Sequence, residues 1–373
     1  MRVLTLRPGP RALGFAAFTS ERGRPRVRGT LRLRPAADLG AALDEALAEL
    51  LGEHLPERWR PELVVIRAAH DGHAFSGPTA VTEDGLAALR RAAAAAPLQL
   101  PPAIGAGEAV RNALPGVPAL LVFESTFFLT LPARERTYAL DRATRTALRA
   151  ARSGFHGLFH AEAADAVARA RGELGRGAPA RVASVCLQGK PEVAGVLGHR
   201  PLVVTSGATP LEGLPGEHDS GEIDPGIVLA LAQTQELGPD EINELLTHRS
   251  GLSALGADVG DLGAILTSVD PSTELARAVF AHRLLLACGA AAAALGGLDA
   301  VVFSGAHAAA GAALQGPLVR QLSLALAADA GAIDVFTLDL GLDQVLARAG
   351  VQAWREAVQD RGQQRPERVA TLR

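Results

Sequence analysis

The chain reads as an α/β protein built from two related halves. Three observations predict this. Apolar strand-like runs alternate with runs of helical period along the whole length. Glycine-rich turns follow several strand runs, at PGP, HDG, LQG and SGAHAAAG. Strand-rich openings occur twice, near residues 1–20 and again near residues 180–206, with no tandem repeat of short period between them.

Each element has a local reason. MRVLTL alternates β-type residues, and ALGFAAFTS supplies a second hairpin arm across the Pro-Gly-Pro turn. DLGAALDEALAELLGEHL has helical period with Asp38 as its N-cap. PELVVIRAAHDG is a buried strand running into a loop that carries Arg67, His70 and His73. A helix follows at GLAALRRAAAAA, then the proline-rich connector APLQLPPA. PALLVFESTFF is a second buried strand ending at Glu124. Beyond a broken segment, Ser153–Gly154 turns the chain into a helix, and ARVASVCLQG and PLVVTSG are strands. Helices follow at DPGIVLALAQTQ, at PDEINELLTHRSGL with Pro239 and Asp240 opening it, and at STELARAVFAHRLLLACGAAAAAL. DAVVFSGAHAAAG is a strand and a turn, and the polar end RGQQRPERVATLR is read as a frayed tail.

Composition narrows the function. With 48% apolar residues, 373 residues suffice for two cores. A net charge of −3 supports neither a nucleic-acid nor an anionic-membrane surface. Arg2 and Arg7 bracket too short an apolar run for a secretory signal, and the longest apolar tract is mostly alanine, interrupted by glycines and an aspartate. No membrane span is expected, and a reducing cytoplasm suits the two widely spaced cysteines, Cys186 and Cys288. Lys190 is the only lysine among 37 basic side chains, a bias of the whole chain, so arginine richness alone marks no patch.

The order of five motifs, FHGLFH, ATPLEGL, SGEIDPGI, EINELLTHRSGL and VVFSGA, resembles the acetate kinase family of the actin-like ATPase superfamily. The resemblance implies two actin-like (ribonuclease H-like) domains with a central cleft. It places residues 1–125 in the first, joined by a C-terminal helix near 343–358, and 126–342 in the second, with a polar tail over 359–373. It implies a homodimer, ATP with magnesium, a small carboxylate acceptor, and phosphoryl transfer that rests on positioning and charge stabilisation. Arg67 matches the family's substrate-clamping arginine, His70 the histidine of the same motif, and His156 the histidine that bonds the phosphoryl group. Ala69, Leu98, Phe155 and Pro210 match the acyl pocket, where Gln99 stands for a histidine. Asp258 matches an acid beside the adenosine, and Gly189 and Gly305 fall in the phosphate and nucleotide loops.

Other positions depart from the family. The family's N-x-G-S-S-S reads RPGPRAL, with Arg7 for asparagine and with Pro10 and Ala12 for serines. C-H-L-G-N-G-A-S reads CLQGKPEV, with Leu187 for histidine, Lys190 for asparagine and Pro191 for glycine. Glu124 stands for a metal-side aspartate, Gly260 for an arginine, and Leu342, beside Asp343, for a magnesium-side glutamate. Asp219 stands where the family presents a second arginine to the phosphoryl group. Such an arginine is worth roughly 10³–10⁵ in rate, or about 4–7 kcal/mol.

Three readings follow. In the first, the chain is a family member without acetate kinase activity that works as a binding or regulatory protein, with no certain cofactor and a small carboxylate or nucleotide as ligand. In the second, it is an active phosphotransferase on a different small substrate, with Arg67, His156, Glu124 and Asp219 as charge-handling groups. Lys190 then contacts phosphate, or else is a solvated loop residue. The third, an ordinary acetate kinase read in the wrong register, is disfavoured because no arginine lies between Arg200 and Arg249.

Overall fold

A computed structural model describes residues 1–34, 38–56, 58–70, 74–93, 100–173, 178–256, 260–327 and 332–363, the side chains of 173 and 360–363 excepted. The chain divides into two compact units, one of Met1–Thr126 with Asp343–Arg373 and one of Phe127–Leu342.

In the first unit β1 (Val3–Pro8), β2 (Ala12–Phe18) and β3 (Val27–Arg32) form an antiparallel meander. On the other side of β1 lie β4 (Leu63–Ala68) and β6 (Ala119–Phe123), both parallel to it, with the two-residue β5 (Thr79–Ala80) at the edge. The second unit repeats the plan. The strands β7 (Arg181–Cys186), β8 (Glu192–Leu197) and β9 (Arg200–Val204) make the meander. β10 (Ala300–Ser304) and β11 (Asp334–Thr337) extend the sheet in parallel beyond β7. The two strand-rich openings read from the sequence are these two meanders.

The central strands are buried on both faces, as their near-continuous apolar runs require. Asp38 does cap the helix Leu39–Glu49, accepting a hydrogen bond from the Ala41 amide at 2.8 Å. LPPA, read as connector, instead opens the helix Leu100–Ala113. Pro101 and Pro102 sit in its first turn, where a helix needs no amide donor. That helix packs against Leu39–Glu49, and Gly105 permits the approach: a Cβ there would stand 2.8 Å from the Leu43 side chain. β8, β11 and the helix Gly311–Ala325, with Pro317 inside it, were not assigned from sequence.

The helix Glu274–Leu295 is long and apolar enough to cross a membrane by length and composition. Here Ala276, Phe280, Leu284, Cys288, Ala291 and Leu295 form a stripe in the core of the second unit with Val185, Val193 and Phe303. The C-terminal helix runs Leu342–Gln363, past the residue 359 at which a polar tail was expected; residues 364–373 lie outside the described residues.

Candidate functional site

Each unit collects part of the predicted set. In the first, β4 and β6 run parallel with Ala68 opposite Phe123, so Arg67 and Glu124 emerge together at their C-terminal ends. Such strand ends are where α/β sheets place functional groups. The Arg67 Nε donates to Glu124 Oε1, and the Glu124 side chain is fully buried while Arg67 keeps a quarter of its surface exposed. Ala69 and His70 follow Arg67, with His70 buried and Ala69 half-buried. His73, Leu98 and Gln99 lie outside the described residues.

Thr5 and Arg7 occupy alternate positions of β1 and share a face. Asp343, opening the C-terminal helix, accepts from Thr5 Oγ1 and from Arg7 Nε, each at 2.9 Å. Glu124, which stands for a metal-side aspartate, and Asp343, the neighbour of the position matched to the magnesium-side glutamate, are each engaged by an arginine. Among the described residues no three His, Cys, Asp or Glu side chains gather in metal-binding geometry.

In the second unit the turn Gly154–His156 leads into the helix Gly157–Glu173. Phe155 is buried, His156 half-buried and Pro210 exposed. The His156 Nε2 pairs with the Lys190 carbonyl at 2.9 Å. Lys190 Nζ in turn reaches Asp219 Oδ1 at 2.5 Å and the Leu211 carbonyl at 3.0 Å. Its side chain is only 11% exposed and that of Asp219 17%, which overturns the reading of Lys190 as a solvated loop residue. Burial pushes the Lys190 ammonium down, against the charge and hydrogen bond of Asp219. Asp219 also accepts from the Gly216 amide, closing its own loop. Within PGEHDSGE His218 pairs with Glu217, and the cation beside Asp219 comes from a loop 29 residues away.

Gly189 and Gly305 both have positive φ, +55° and +91°. At Gly305 a Cβ would sit 2.8 Å from the Leu187 backbone, because the loops after β7 and β10 cross here. The Gln188 side chain accepts from the Ala306 amide at 2.9 Å. Asp258 lies outside the described residues.

Sequence reasoning missed Glu192. It opens β8, is fully buried, and receives the amides of Phe155 at 3.0 Å and His156 at 3.1 Å, and the His160 ring at 3.0 Å. The other ring nitrogen of His160 meets Ser184 Oγ at 2.7 Å. The signal in the sequence was a lone acid at the head of the apolar run EVAGVL, aligned with the family's alanine in C-H-L-G-N-G-A-S. Burial alone would raise the Glu192 carboxyl, but the His160 bond, the charges of His156 and His160 and a Ser206 bond outweigh it and hold it at about 2. The folded value lies below the ordinary 4.5, so this stabilisation is present above about pH 4.5 and is lost as pH falls toward 2. Denaturant titrations at a series of pH values are expected to show a decline across that window, amounting to about 3 kcal/mol. In Glu192→Gln the decline should flatten, and an unchanged slope would assign it to other groups.

Comparison with known proteins places this geometry in context. The profile described as "Acetokinase family" matches residues 28–331. The acetate kinase of Clavibacter michiganensis subsp. michiganensis is 39% identical over 295 residues, covering 78% of this chain and 72% of that protein. The acetate kinase of Streptomyces griseus subsp. griseus is 37% identical over 275 residues, covering 72% and 64%. Among solved structures, Porphyromonas gingivalis acetate kinase superposes with a TM-score of 0.78 at 22% identity, covering 95% of this chain and 99% of that one. A propionate kinase from Francisella tularensis subsp. tularensis superposes with a TM-score of 0.74 at 20% identity, covering 94% and 99%. These two establish the shared fold.

Proposed function

The chain belongs to the acetokinase family, and from that premise we propose that it has lost phosphoryl transfer between ATP and acetate and works as a binding or regulatory member of the family. The observation that carries this reading is the Lys190–Asp219 ion pair. Where the resemblance implies a neutral asparagine and a phosphoryl-binding arginine, this chain has a lysine and an aspartate that satisfy each other. An anion entering between them would have to separate a largely buried pair, and would meet the aspartate once it had. Arg7–Asp343 and Arg67–Glu124 support the reading in the same way, since each couples a cation to an acid of the chain itself.

A cytoplasmic setting and a homodimer belong to the same proposal. The helix Pro225–Thr234 favours a protein–protein surface: none of its side chains is buried, and Ile227 and Leu229 are 50% and 61% exposed.

The test is calorimetric titration with ATP, ADP and acetyl phosphate, each with magnesium, beside an assay for acetyl phosphate formation. Folded protein is expected to form no product and to give no saturable heat that is lost in Lys190→Ala. Turnover that copurifies with the chain and disappears in His156→Ala would overturn the proposal. Nucleotide binding that is lost in Lys190→Ala, without acetate turnover, would move the reading to a phosphotransferase with another acceptor.

A further inference from the structure

A second cationic feature lies outside every motif considered so far. The segment from Leu131 to Arg152 carries six arginines against two acids, in a chain of net charge −3. Both acids are committed. Asp141 caps the short helix Arg142–Leu148 at the Thr144 amide, 3.0 Å away, and Glu135 accepts from the Val204 amide at 3.2 Å and faces Arg152. Arg152 itself is bound to Glu212 of ATPLEGL and to the Thr205 carbonyl.

Three of the remaining arginines, Arg136, Arg142 and Arg145, line one pocket of about 430 Å³. Among the described residues none of the three forms an ion pair, and the buried Nε of Arg145 has no hydrogen-bond acceptor. Thr137 and Thr146 also line the pocket, but their hydroxyls donate to the Ala133 and Arg142 carbonyls, so the guanidinium groups are its free donors. The chain-wide preference for arginine accounts for their number. It does not account for three of them converging without a carboxylate, when Arg67, Arg152 and Arg181 each have one.

Like charges sharing a cavity raise one another's energy, and a multiply charged anion relieves that cost. The planar guanidinium fork pairs two donors with two oxygens of one phosphate, and the volume is that of a small-molecule pocket. We propose that the pocket formed by Arg136, Arg142 and Arg145 is a binding site for a small phosphate-bearing anion, separate from the loops around Lys190. Ala150 and Ala151, which close one side of it, run directly into Arg152 and the Phe155–His156 turn.

The probe is pyrophosphate, titrated without metal into the full-length chain at low ionic strength, with citrate as a carboxylate of similar charge. Saturable pyrophosphate binding is expected, weakened at least tenfold by Arg142→Ala and by Arg145→Gln. Arg142 is exposed and pairs with no acid, so its variant keeps the fold and isolates the ligand contact. Absence of pyrophosphate binding, or binding untouched by Arg142→Ala, overturns the site. Citrate binding as tightly as pyrophosphate overturns the phosphate assignment.

Discussion

Glu192→Ala is expected to lower the unfolding free energy by about 3–5 kcal/mol, the largest stability effect of any single substitution considered for this chain. The substitution strands two amides at the head of the helix Gly157–Glu173 and removes the partner of a fully buried histidine. Stranded buried donors cost the full desolvation penalty rather than the net value of a hydrogen bond. Glu192→Gln keeps one carbonyl acceptor and should lose less. Denaturant unfolding of the three proteins at pH 7 checks this, and a loss in Glu192→Ala no larger than in Glu192→Gln would mean that the amides find other acceptors. The alanine of the family at this position makes the result informative, because the fold then has a second way of closing this turn.

The next largest effect is expected at Arg67. Arg67→Ala leaves the buried Glu124 carboxylate without its guanidinium and should destabilise the protein by roughly 3 kcal/mol, at the lower end of buried pairs because Arg67 is partly exposed. The double variant Arg67→Met with Glu124→Leu should recover most of that loss, since paired charges exchanged for apolar groups of similar volume are often neutral. A double-mutant cycle by urea unfolding gives the coupling. Coupling near zero would mean that Arg67 is not held by Glu124, and would return it to the set of groups available to a substrate.

The fold was legible to the extent that its signals are local. Hairpin turns, the Asp38 cap and the buried β4 and β6 each announce themselves within a few residues. What escaped was element assignment where local signals conflict. Proline at Leu100–Ala113 reads as a breaker unless the helix is known to start there, and β8 is headed by a glycine–lysine–proline–glutamate run that hides a strand. The site was legible as positions and illegible as partners. Arg67 and Glu124 are 57 residues apart, and Lys190 and Asp219 are 29 apart.

By itself the sequence determined the α/β class, the two strand-rich openings and the family, because periodicity, turn chemistry and motif order are properties of neighbours along the chain. Only the tertiary structure decided that Lys190 pairs with Asp219 and Arg7 with Asp343. It also decided that Glu192 is the buried anion of the second unit and that three arginines share one pocket. Electrostatic energy depends on distance through space and on burial, and both are set by packing.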